Sequence, residues 1–149
     1  MWRNLFGRDK SLTQLASALV GEITAAIETL ESNPEIKFLE SVAKGTADAA
    51  GQMHAFSLPK LAVYEENASR LSEFTAPLPH QLSYFYTELE GLQDRVRHTL
   101  THQNDKASRQ AAAVETLAEI SRIVSLGDQL LHDLRPLIAP HHSSLLTRA

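Results

Sequence analysis

Residues 105–134 read DKASRQAAAVETLAEISRIVSLGDQLLHDL. Within this stretch Ala113, Leu117, Ile120, Val124, Gly127, Leu131 and Leu134 recur at alternating steps of four and three. That alternation keeps one stripe on one side of a helix, whereas in a strand it would scatter the same residues over both faces. It predicts a helix over about 105–134. Pro136 and Pro140 follow and read as its stop, because proline has no N–H and crowds the preceding turn. Residues 136–149 then read as a mobile tail. Gly127 falls in the apolar seam, where it is expected to let a second helix approach closely rather than to make room for a ligand.

The same period extends upstream. Leu82, Phe85, Leu89, Leu92 and Val96 predict a helix over about Pro79–Leu100. Leu12, Ala16, Leu19, Ile23, Ala26 and Leu30 predict another that opens at Ser11, where Ser11 and Gln14 have the form of a capping box. Asn33-Pro34 ends it and can cap a further helix, read as Pro34–Gln52 with Gly45 and Gly51 as weak interior points. A loop near His54–Leu58 leads to a shorter helix carried by Leu61, Tyr64, Ala68, Leu71 and Phe74. Long stripes joined by short connections predict an all-α fold, an antiparallel bundle of four to five helices over residues 11–135. Residues 1–10 form a separate N-terminal segment in this reading.

Composition agrees. The chain has 149 residues, 43 % hydrophobic and 21 % charged, which is enough to bury a core without a staple. It contains no cysteine, so disulfides, thiolate zinc sites and cysteine nucleophiles are excluded. The net charge of −4 divides unevenly between an acidic first part, with 7 Lys/Arg against 13 Asp/Glu over residues 1–94, and a slightly basic remainder. Neither part has the basic stripe that nucleic-acid binding needs. No apolar run is long enough to span a bilayer, and the opening residues lack the pattern of a secretory signal, so the expected location is cytoplasmic.

Phosphate loops, G-x-G-x-x-G, H-E-x-x-H, G-x-S-x-G and the Glu-x-x-His pair of di-iron bundles are all missing from the sequence. His98 and His102 are the best metal pair, because an i,i+4 spacing puts two imidazoles on one helix face. A third ligand, Asp105 or His132, could come only through tertiary placement, and a polar helix end explains the pair as well. No cofactor is expected. His141-His142-Ser143-Ser144 resembles a base beside a nucleophile, but a tail after two prolines cannot hold that geometry.

Two clusters remain as candidate contact surfaces for a protein partner. Tyr64, Glu65, Asn67 and Arg70 lie close in sequence to Tyr84 and Tyr86, and five of the nine aromatics fall between Tyr64 and Tyr86. Glu66 and Arg70 are ordered for an i,i+4 ion pair. A plain packing junction, with the tyrosine hydroxyls bonded to loop backbone, accounts for the same residues. The second cluster is Trp2 and Phe6 among Arg3, Arg8 and Lys10, a miniature of an interfacial membrane anchor. Docking of those rings on the bundle or on a second subunit is the simpler expectation. Peripheral contact with an inner membrane is the alternative.

The run Leu61-Ala62-Val63-Tyr64-Glu65-Glu66-Asn67-Ala68-Ser69-Arg70-Leu71, followed by Phe85-Tyr86-Thr87-Glu88-Leu89, resembles a helical domain of uncharacterised bacterial proteins. Its pattern is YExNAxxL, a proline-containing link, then FYxxL, and Glu22-Ile23-Thr24-Ala25-Ala26-Ile27 is compatible with it over residues 20–100. Many such proteins carry a membrane segment ahead of the domain. The resemblance implies a helical fold and a bacterial or phage origin, and brings no catalytic residues. The function expected from the whole sequence is a non-enzymatic helical interaction module, an adaptor, regulator or assembly component, with self-association equally consistent. The alternative is a bundle that binds a small ligand or metal, including an enzyme without a recognisable motif.

Overall fold

The structure is a computed structural model that describes residues 2–48, 56–102 and 105–138, with the side chains of 2–9 and 99–102 outside that description. Helix α1 spans Trp2–Ser32, α2 Pro34–Ala43, α3 Ala62–Asn67, α4 Leu78–His102 and α5 Lys106–Ile138; a 3-10 segment, Ala68–Glu73, continues α3. The described residues contain no strand. The fold is all-α, a bundle built around α5, which packs against α1, α2 and α4.

Side chains along α5 give the direction of its neighbours. Gly127 faces Ile27 of α1 and Phe85 of α4. Further back along α5, Gln110 donates to the Ala43 carbonyl at the end of α2, while Arg95 and Glu88 of α4 meet Glu119 and Arg122. At its other end, Leu137 shares a cleft with Leu12 and Gln81. Both α1 and α4 therefore run antiparallel to α5 and parallel to each other. Two parallel helices cannot be joined by a short turn. The chain returns through residues 56–73, a strap containing α3 and the 3-10 segment, which contacts α1 and α4.

The core stripes follow the predicted period, with one shift. On α5 the buried positions are Ala112, Ala113, Thr116, Ile120, Ile123, Gly127, Leu130, Leu131 and Leu134, while Leu117 and Val124 are only partly covered. Neighbours on three sides pull the buried arc towards positions 116, 123 and 130. A leucine-sized side chain fully buried contributes about 1.5–3 kcal/mol before entropy, so Leu19, Ile23, Leu82, Phe85, Leu89 and Leu92 anchor the bundle.

Three boundaries correct the expectations. Helix α1 begins at Trp2, and the backbone of the N-terminal segment is continuous with it. Leu5, Arg8 and Lys10 favour a helix and only Gly7 opposes it, and the Ser11 hydroxyl accepts from Arg70 instead of capping. Helix α2 ends at Ala43 because Gly45, at φ 75°, closes it. The Gly45 amide donates to Val42 O and the Thr46 amide to Ser41 O, the paired bonds of a Schellman end. Helix α5 runs through Pro136 to Ile138, since Pro136 is exposed and forfeits only a solvent-side bond. The tail from 139 onward lies outside the described residues.

Candidate interaction surface

The strap brings part of the aromatic cluster together. The Glu22 carboxylate on α1 accepts from the Val63 amide at 2.7 Å and the Tyr64 amide at 3.0 Å, fixing the start of α3. This orients Tyr64 so that its ring stacks on Tyr86 of α4, centroids 4.1 Å apart and 5° from parallel. Phe85 meets Tyr86 edge-on at 5.3 Å. Asn67 donates from Nδ2 to the Val63 carbonyl. Arg70 donates to the Ser11 hydroxyl at 2.7 Å and pairs with Glu73. The expected Glu66–Arg70 pair is replaced because the backbone tightens from α to 3-10 at Ala68, which changes the side-chain register.

Tyr86 is fully buried, and among the described residues its hydroxyl makes no hydrogen bond, although the Glu22 carboxylate lies near it. Burial pushes that hydroxyl far up, and the nearby Glu22 carboxylate, already directed at the strap amides, pushes it further. Tyr64, in the strap, is half-buried, and Glu65 is exposed beside it. These groups fasten the strap to the α1–α4 groove, as do Gln93, which accepts from the Leu58 amide, and Arg97, which donates to the Phe56 carbonyl. Glu22 is the residue that sequence reading passed over. A carboxylate that serves amides 41 and 42 positions away leaves no periodic trace.

Tyr84 belongs to a different face. Two residues from Tyr86, it points about 160° away around the helix. It is 43 % exposed, and its hydroxyl accepts from Arg122 at 2.6 Å. Arg122 also pairs with Glu88 at 2.7 Å, and Arg95 pairs with Glu119 at 2.8 Å. The bonds to Glu88 and Tyr84 hold Arg122 even more firmly in its charged form. The aromatic cluster is thus divided between a strap-side junction and a charged edge along α4 and α5.

Beyond that edge lies a side of α5 that the other described helices leave uncovered. Ala107, Ala111, Val114, Ala118, Ser121 and Ser125 follow one another at helical spacing, and all are exposed, Val114 by 53 %. On the side away from Arg122, this face falls into a cleft of about 480 Å³ lined by Leu117 and Val124 of α5 and by Leu30 and Ile36. A second, smaller cleft of about 330 Å³ sits at the end of the bundle between Leu12, Phe74, Leu78 and Leu137.

The remaining candidates are dispersed. His98 is exposed on α4, the His102 side chain lies outside the described residues, and so do those of Trp2 and Phe6. Among the described residues no three His, Asp or Glu side chains gather where one ion could join them. Asp105 caps α5, accepting from the Ser108 amide at 2.7 Å and hydroxyl at 2.9 Å, which holds its carboxyl below its usual range. No helix among the described residues is long and apolar enough to cross a membrane. No protein-family model, curated protein or solved structure matches the chain.

Proposed function

We propose that the protein is a helical interaction module with no catalytic chemistry of its own, which engages a partner helix along the uncovered side of α5. The observation that carries this reading is the position of that side. Helix α5 has α1, α2 and α4 around it, and its remaining face presents Ala111, Val114, Ala118, Ser121 and Ser125 to solvent. Short side chains let a second backbone approach to the 8–10 Å of a packed helix pair. Partly covered Leu117 and Val124 supply apolar surface that docking would complete. Tyr84 and Arg122 stand at its rim, two residue types that contribute strongly to binding when desolvated.

The test is affinity purification of the tagged full chain from its native extract, membranes solubilised in mild detergent, read by mass spectrometry. A stoichiometric partner, or a second copy, should be retained by the native chain and lost with Val114→Arg at unchanged helical content. Retention by both chains, or by neither, would refute the α5 reading.

A further inference from the structure

We infer that the partner of the α5 face is α5 of a second copy, running antiparallel across a twofold axis that crosses the helix between Ala118 and Ser121. This rests on the interaction-module reading and names its occupant. The argument is one of self-complementarity, since an isologous pair must present the same patch twice. Written as a heptad, Ala111, Ala118 and Ser125 take one seam position and Val114 and Ser121 the other. The flanking positions then differ in kind. On one flank stand Glu115 and Arg122, seven residues apart; on the other stand Leu117 and Val124, also seven apart.

An antiparallel pair brings like flanks together. In the register that sets Ala118 against Ser121 of the second copy, Glu115 meets Arg122 of the second copy, and Arg122 meets its Glu115. The opposite flank sets Leu117 against Val124 of the second copy, over the cleft formed with Leu30 and Ile36. Sliding by one heptad places Glu115 against Glu115, so charge selects the first register. Glu115 is exposed and has no ion pair among the described residues. Arg122 is 52 % exposed and bonds Tyr84 and Glu88 through its two terminal nitrogens, leaving Nε for the incoming carboxylate. The bundle of one copy thereby gains its missing neighbour from the other.

Sedimentation equilibrium of the full chain over a range of concentrations tests this. The native chain should be a dimer, and Ala118→Arg a monomer, while Ala18→Arg on the exposed face of α1 should leave the dimer intact. Glu115→Arg and Arg122→Glu should each weaken dimerisation about tenfold or more, because like charges then meet twice. An equimolar mixture of the two should recover dimer mass, since each chain now complements the other. Circular dichroism confirms that every variant is folded. A native chain that stays monomeric, a dimer indifferent to Ala118→Arg, or a mixture that fails to recover would overturn the inference. If the chain is monomeric yet a partner from the extract is still lost with Val114→Arg, only the self-pairing fails and the module reading stands.

Discussion

At the scale of single residues, the close approach at Gly127 and the buried hydroxyl of Tyr86 each have a measurable consequence. A methyl on Gly127 would sit 2.8 Å from Ile27 Cδ1 and 2.9 Å from Phe85 Cε2, closer than carbon atoms pack. Alanine would gain about 1 kcal/mol of helix propensity, but overpacking a filled core costs about 1–3 kcal/mol. Gly127→Ala is expected to lower unfolding free energy by about 1 kcal/mol in urea titration, and Gly127→Val by more. Tyr86 presents the opposite case. Among the described residues its hydroxyl is buried without a hydrogen bond, so Tyr86→Phe removes a desolvated polar group while keeping the ring stacked on Tyr64. Removing such a group stabilises by up to about 1–3 kcal/mol. A Tyr86→Phe chain that melts below the native one would show that the hydroxyl is satisfied in solution.

At the scale of elements, the periodic stripes were legible and the ends were less so. Leu82 to Val96 and Leu19 to Leu30 lie in the core where their spacing placed them, because burial of a stripe is what the spacing encodes. In the sequence Gly45 has the form of an interior weak point, since the alanines after it are compatible with a helix. Its role as a left-handed stop depends on backbone bonds to Ser41 and Val42 that no side-chain pattern records. Asp105 was legible as the beginning of α5, and the chemistry of its cap gives a pH prediction. Bonds from Ser108 hold the folded carboxyl below its unfolded value of about 4, so its contribution is complete above that pH and fades as pH falls through the folded value. Asp105→Asn keeps an oxygen for the Ser108 amide but does not titrate. Melting temperatures of the native and Asn chains, compared from about pH 6 to pH 2, should therefore converge or cross in the acid range. A constant difference would mean that the carboxylate is not held by the cap.

At the scale of the whole molecule, the strap is what permits α1 and α4 to run parallel around α5, and the sequence period carries its short helix but not this crossing. The spacing of Leu61, Tyr64, Ala68, Leu71 and Phe74 gives a short helix there, and the structure divides it into α3 and a 3-10 segment. Tyr64, Asn67, Tyr86 and Glu22 meet at one place and together fasten the strap. The fastening is mostly side chain to backbone: Glu22 to the Val63 and Tyr64 amides, Gln93 to the Leu58 amide, Arg97 to the Phe56 carbonyl. Such a segment has fewer internal backbone bonds than α4 or α5, so it should open by itself at lower free energy than the bundle unfolds. Glu22→Ala leaves two amides without their acceptor, each worth about 1–3 kcal/mol when kept from water. Native-state hydrogen exchange should then show amides of 58–71 exchanging at least tenfold faster while those of Ile120–Leu131 scarcely change. Equal acceleration in both regions would mean that strap and bundle unfold as one unit. In that case the parallel arrangement of α1 and α4 would exist only while the strap is closed.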